Sequence, residues 1–319
     1  MQKLMPFSHL KVEKFYALLL CVFSLFLTAQ VQASPREFNL GILGGHNSTE
    51  QIGDNLCVKT FLDKELNVNT KLRNATDYQT VIQGFLSGKL DAVVGFSPSA
   101  FASIYLQDPN AVDLVGIQAN DADNARGYYS VILVKKDSPY KKLSDLKGTS
   151  FAFADPNSSS GYLVPNNIFK TQFGGTSDNN YNHFFKNITF SGGHEQDIIG
   201  VLNGQFDASV TWTSMVGDRS KGYNTGALQR LVNNGFPHLM DKIRIIWVSP
   251  LIPDGPSFVS NKLPPKLKAQ VKKALRKLDT DNHECFVKAA GGHVHLEDTT
   301  IDDFKMNIDL KREQMQEIR

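Results

Sequence analysis

Cysteine is scarce in this chain of 319 residues. Three are present, and only Cys57 and Cys285 lie beyond residue 33, too few to scaffold a disulfide-rich domain. Cys57 falls among Ile52, Leu56, Phe61 and Leu66 on a predicted helix, where a small buried thiol is the simplest reading. A bridge to Cys285 stays open, because pairing is not readable from spacing. An excess of one charge is missing as well. The chain holds 34 basic and 32 acidic residues; without Lys3, Lys11, Lys14 and Glu13 near the N-terminus, 31 of each remain. That balance excludes the basic stripe of a nucleic-acid binder and a polybasic membrane tether. Beyond the N-terminus no long apolar run occurs, so no bilayer-spanning helix is expected there.

What is present begins with a leader. Lys3, Lys11 and Lys14 precede or open onto an apolar stretch from Phe15 to Leu27, followed by Val31, Gln32 and Ala33 in the small-x-small pattern of a cleavage site. This reads as a secretory signal peptide over residues 1–33, which sends the mature protein to the periplasm. The 13 apolar residues fall short of the roughly 20 that cross a bilayer as a helix. Leu20 stands before Cys21 where lipid attachment requires a small residue, so lipidation is not expected. Residues 34–319 are long enough for two domains.

The chain also carries one pattern twice. "LSGKLDAVVGF" from Leu86 and "LNGQFDASVTW" from Leu202 align at an offset of 116 residues. Each reads as a helix end, a glycine turn (Gly88, Gly204), an acid (Asp91, Asp207) and a short buried strand. Extended backwards, the alignment pairs Phe85 with Val201, Ile82 with Ile198 and Tyr78 with His194. A helix-and-strand unit repeated at that distance predicts two similar α/β lobes, with a ligand site where they face each other.

Around the repeat, strand and helix alternate. Strands are predicted over Phe38–Leu43, Thr70–Arg73 and Asp91–Val94. A helix capped by Ser48 and Gln51 runs to about Leu66, another covers Tyr78–Leu86, and a third opens with Ser97 as cap and Pro98 at its first position. A second set follows: strands Ser150–Phe153, Ile188–Phe190 and Asp207–Thr211, with helices from about Ser160 to Lys170 and Glu195 to Leu202. Two long strands, Gly127–Lys136 and Ile243–Val248, carry the chain out and back. The second lobe, 128–248, is thus an insertion in the first, 34–127 and 249–319, and each lobe is expected to hold a mainly parallel sheet flanked by helices. Two crossings make a hinge that closes around a small molecule. Helices over Pro265–Leu278 and Phe304–Gln316 pack back on the first lobe.

The sharpest chemical signal is "ADPNSSSGYLVP" from Ala154. It joins a strand to a helix and sets Ser158, Ser159 and Ser160 beside Gly161. A helix N-terminus has unpaired N–H groups and the positive end of a dipole, and three hydroxyls exceed what capping alone needs. Such a cluster suits a tetrahedral oxyanion. The repeat places Tyr78 and His194 at equivalent helix starts on opposing lobes, where both can donate to the same anion. With Ser97 these residues complete the candidate ligand set. His283, Cys285, His293 and His295, with Glu297, match no compact zinc spacing, and Gly41–Gly45 lacks both the dinucleotide fingerprint and the lysine of a phosphate-binding loop. No nucleophile elbow and no acid/base carboxylate pair appears. No metal, cofactor or catalytic residue is therefore assigned.

"ADPNSSSGYLVP", "SGGHE" from Ser191, "ATDYQTVIQGF" from Ala75, "GYYSVILVKKDSP" from Gly127 and "VSPLIPDGP" from Val248 together resemble the PhnD-like phosphonate-binding subunits of ABC importers. The likeness runs from about Phe38 to Leu278 with the motifs in order. It implies a two-lobed, type II-like periplasmic binding protein. In that family hydroxyls matching Ser158 to Ser160, a tyrosine matching Tyr78 and a histidine matching His194 grip the oxyanion. The family's amine-binding carboxylates have no match in Thr211–Ser214, where Trp212 narrows the pocket instead. Gly255 stands where an acid is common, with Asp254 before it. The resemblance thus implies capture of an amine-free phosphorus oxyanion, namely phosphite, methylphosphonate, phosphate or a phosphate ester. Delivery is to an inner-membrane ABC permease, by a monomer with no chemistry of its own. A sulfonate cargo, or presentation of the ligand to a sensory receptor, are the alternatives.

Overall fold

The computed structural model describes residues 36–42, 48–174 and 181–317. The signal peptide, Cys21, the Leu43–Asn47 part of the glycine-rich loop and the side chain of Ser48 lie outside them. In chain order the first elements are β1 (Glu37–Ile42), α1 (Ser48–Leu66), β2 (Asn69–Asn74), α2 (Tyr78–Leu86), β3 (Ala92–Val93), α3 (Pro98–Gln107) and β4 (Val112–Asn120). The chain then enters β5 (Gly127–Lys135), β6 (Ser150–Phe153), a π-helical turn (Ser159–Leu163) running into α4 (Val164–Phe173), β7 (Asn187–Phe190), α5 (His194–Leu202) and β8 (Ala208–Thr213). After α6 (Ala227–Asn233), α7 (Leu239–Lys242) and β9 (Ile243–Val248) it returns through β10 (Ile252–Pro253) to β11 (Pro256–Ser260). α8 (Pro265–Asp281), α9 (His283–Ala290), β12 (Val294–Glu297) and α10 (Lys305–Glu317) complete the described chain.

Two sheets result. The first has the order β12-β4-β11-β3-β1-β2, the second β10-β5-β8-β6-β7 with β9 also on β5. Each contains a parallel trio joined through helices: β2-β1-β3 in one, β7-β6-β8 in the other. The remaining pairings are antiparallel, so the sheets are mixed rather than mainly parallel. The reason is connectivity. A parallel neighbour requires a crossover helix, whereas β4, β5, β9 and β11 carry the chain between sheets without one.

Periodicity accounts for the helices. α2 buries Tyr78, Val81, Ile82 and Phe85, and α8 buries Val271, Ala274, Leu275 and Leu278, both at the spacing of one helical face. Against the first sheet Phe85, Phe96, Phe101, Phe258 and Phe304 pack as one cluster; Phe151, Phe153, Phe169 and Phe185 do the same beside the second. Full burial of each such ring stabilises by about 1.5–3 kcal/mol. α9, which has no clear signal in the sequence, lies on α1 and joins it by a Cys57–Cys285 disulfide with Cα atoms 5.9 Å apart. The buried-thiol reading is thereby replaced by a bridge.

The repeat is preserved bond for bond. The Ser87 N–H donates to the Gln83 carbonyl and the Gly88 N–H to that of Phe85, and in the second copy the Asn203 N–H donates to Ile199 and the Gly204 N–H to Val201. Lys89 N–H donates to Gly84 O at 2.9 Å and Gln205 N–H to Gly200 O at 2.8 Å. Gly88 and Gly204 hold φ of 79° and 74°, a left-handed turn that glycine adopts without steric cost. The acids then tie the parallel strands together: Asn39 N–H donates to Asp91 Oδ2 at 2.7 Å, and Ser150 N–H to Asp207 Oδ2 at 2.8 Å.

Candidate functional site

The turn after β6 is built so that its hydroxyls diverge. Ser158 caps it, accepting from the Gly161 N–H at 2.9 Å, and lies 3.3 Å from His194 Nε2. Gly161 permits this approach: a Cβ there would sit 2.6 Å from Ala154 Cβ, 2.8 Å from Ser158 Oγ and 2.9 Å from His194 Cε1. Ser160 and Ser159 both approach the Tyr128 phenol, and Ser160 offers its carbonyl to the Ser130 hydroxyl at 2.7 Å. Tyr78, Ser97, Ser158, Ser160, His194 and Gly193 all line one cavity of about 130 Å³. That is well below the roughly 300–1,000 Å³ of sites for drug-sized ligands, so its occupant is small.

Two helix starts meet there on unequal terms. α2 is closed by Asp77, whose carboxylate accepts from the Thr80 N–H at 2.7 Å. α5 begins after Gly193, which has no side chain to cap it, so the positive end of its dipole meets no capping carboxylate at that position. Tyr78 projects from the closed end and His194 from the open one. Burial pushes the Tyr78 and Tyr128 phenols up, so both remain O–H donors at neutral pH.

Ser97 and Ser159 have a different part. Ser97 occupies the position before α3 but makes no cap bond of its own. Instead the Ser99 N–H donates to Ser159 Oγ at 2.8 Å, so the cap of α3 comes from the opposite sheet's turn. The Ser97 and Ser159 hydroxyls are 3.3 Å apart, and Asn307 Nδ2 of α10 donates to Ser159 Oγ at 3.2 Å. Ser159 is fully buried and is not among the residues around the cavity. Next to it Lys311 Nζ of α10 donates to Asn157 Oδ1 at 3.1 Å, and burial pushes that ammonium down to about 8. The middle serine therefore fastens the two sheets' elements together while its neighbours face the cavity.

Trp212 and Asp254, named from the sequence, border the cavity together with Tyr128, Arg230 and Gln118, which the sequence did not single out. Tyr128 stacks edge-on to Trp212 with centroids 5.2 Å apart, and the Arg230 guanidinium lies 5.2 Å from the Trp212 ring centre. Gln118 of β4 and Asp254 also line it. Burial holds the Asp254 carboxyl up to about 7, although Oδ1 accepts the Gly255 N–H at 2.7 Å. At Gly255 a Cβ would meet the Gly95 and Phe96 backbone at 2.7–2.9 Å. A carboxylate at that position is sterically barred. The histidine-rich cluster lies elsewhere: His283 bonds Asp279 at 2.9 Å and Asp121 at 3.2 Å, and His295 bonds Asp121 at 3.0 Å. Among the described residues no three His, Cys, Asp or Glu side chains converge as a metal site.

Hydroxyls, the His194 ring and the uncapped start of α5 border one small cavity together with Arg230, Asp254, Asp54 and Lys288. Among the described residues no helix is long and apolar enough to cross a membrane. The family of ABC-transporter periplasmic substrate-binding proteins for phosphonate matches residues 56–305, and the chain belongs to it. It is a family of binding components, not of enzymes. The chain is 30% identical over 233 residues to the phosphonates-binding periplasmic protein of Escherichia coli, covering 72% of this chain and 62% of that one. To the phosphate-import protein PhnD of Mycolicibacterium smegmatis it is 26% identical, covering 57% of each. The matches thus span about three-fifths of those relatives. In fold it is similar to PhnD1 of Prochlorococcus marinus solved with methylphosphonate, with a TM-score of 0.70 at 21% identity over 88% of this chain and 99% of that one.

Proposed function

We propose that this protein captures a small phosphorus oxyanion and hands it to an ABC permease in the inner membrane. The signal peptide at residues 1–33 exports it to the periplasm. Two lobes, 34–127 with 249–319 and 128–248, close on the ligand across the connections between the two sheets. The observation that carries the reading is convergence: Ser158, Ser160, Tyr78, His194 and the open end of α5 border one enclosure. Each oxygen of a tetrahedral anion accepts more than one bond, so the donors are matched by acceptors. Relatives that bind phosphonates or import phosphate point the same way. The ligand carries no amine, because Trp212 and Gly255 stand where carboxylates would be needed to hold one.

Calorimetric titration of the mature chain tests this. Methylphosphonate or phosphite binds, and methanesulfonate at equal concentration does not displace it. Displacement by the sulfonate, or binding of neither phosphorus ligand, overturns the proposal.

A further inference from the structure

Two buried donors on residues that line the cavity have no acceptor. Arg230 Nη2 and Gln118 Nε2 are shielded from solvent and make no hydrogen bond, although both residues line the cavity. An unsatisfied buried N–H is costly, and the cost is greatest for a charged group. Arg230 is held firmly in this state. Its Nε donates to Glu195 Oε1 at 3.1 Å, its guanidinium lies over the Trp212 ring, and Gly291 leaves it room, since a Cβ there would be 2.8 Å from Nη1. A fixed guanidinium edge over an aromatic platform is a receptor for an oxygen acceptor.

We propose that the ligand is bifunctional: a phosphorus oxyanion whose other end bears a carboxylate-class acceptor that docks on Arg230 Nη2. The inference rests on the oxyanion reading above and names the ligand's second group. The charges around the cavity permit it. Lys288 lies 3.6 Å from Asp54 and the two offset each other. Asp254 is the remaining acid there. Below pH 7 it is the neutral acid and presents no repelling charge, and because Glu195 offsets the charge of Arg230 from the Nε side, the tail is selected by the orphaned donors rather than by net charge. An ammonium tail would leave both orphaned donors unpaired and set a like charge beside Arg230.

The test titrates the mature chain at pH 6 with phosphonoacetate, methylphosphonate and 2-aminoethylphosphonate, in the wild type and in Arg230→Met. Phosphonoacetate is expected to bind about tenfold or more tighter than methylphosphonate in the wild type, with 2-aminoethylphosphonate weakest. In Arg230→Met the ratio of phosphonoacetate to methylphosphonate affinity falls towards one, and the melting profile shows that the variant is folded. Should the variant not fold, the wild-type ligand series alone decides. Equal or tighter binding of methylphosphonate, tightest binding of the amine, or an advantage that survives Arg230→Met overturns the inference and leaves the oxyanion reading standing. Binding of none of the three overturns both.

Discussion

The two copies of the repeat share their backbone and differ in what they expose. Both turn through glycine, both anchor a parallel strand with an aspartate, and the hydrogen bonds recur at the same offset. Yet α2 is plugged by Asp77 while α5 is open at Gly193, and Tyr78 stands where the second copy has His194. β3 has two residues and β8 six, yet the equivalent aromatics Phe96 and Trp212 both border the cavity. The fold is thus maintained by backbone bonds common to both copies. On the proposed function, the electrostatics of capture would come from one residue before the second helix and one at its start.

Giving the second helix the cap of the first breaks this comparison outright. Gly193→Asp places a carboxylate where the anion would sit, and unlike charges aside, two anions about 4 Å apart repel by about 4 kcal/mol. Methylphosphonate affinity measured by calorimetry should fall by about a thousandfold, with the melting profile confirming the fold. Unchanged affinity would show that the open helix end has no part in binding.

The return segment gives a pH test. Asp254 has a folded pKa near 7, above the unfolded carboxylate value of about 3.9. The folded form therefore holds the proton more tightly, and the resulting stability is full below about pH 4 and lost as pH rises through 7. Asp254→Asn should stabilise the ligand-free protein at pH 8 by up to about 4 kcal/mol and leave it little changed at pH 4. Asp155 and Asp197, also raised by burial, retain part of the slope. A melting curve with the same pH dependence in both proteins would contradict this.

Asymmetry in crosslinking sharpens the comparison further. Cys57–Cys285 joins two helices beside the first sheet, and no second disulfide exists among the described residues. Cys57→Ser should cost about 2–4 kcal/mol of stability. Hydrogen exchange should locate the loss in α1 and α9 and spare α5 and β8.

The smallest effects separate neighbouring serines. Ser160→Ala removes a donor facing the cavity and should weaken methylphosphonate binding by about 1–3 kcal/mol. Ser159→Ala removes the cap of α3, worth about 0.5–2 kcal/mol. Its effect should appear in the stability of the closed form and in α3 exchange, beyond any change in affinity. Equal losses of affinity and no change in α3 would merge the two roles.

Much of this was legible because the governing signals are local. The helix Tyr78–Leu86 and the strands Ser150–Phe153 and Ile243–Val248 were bounded by their own caps, turns and apolar period. The repeat offset then aligned Tyr78 with His194 without any knowledge of packing. Other features depend on position in space. Three consecutive serines look alike in sequence, and only the π-helical turn sends Ser159 to α3 while Ser158 and Ser160 face the cavity. Pairing of Cys57 with Cys285 depends on where α9 lies. Arg230 and Gln118 carry no local signal, since a polar residue on a helix or strand reads as solvent-facing until its surroundings are known. Mixed strand order escaped notice because β4 and β11 cross between sheets without a helix to mark their direction.

A crystal structure of the mature chain with methylphosphonate tests the central claim most directly. The phosphorus is expected centred in the cavity, its oxygens accepting from Ser158, Ser160, Tyr78, His194 and the start of α5, with Ser159 still bonded to Ser99. A ligand bound away from the start of α5, or one that draws Ser159 off α3 to contact it, would contradict it.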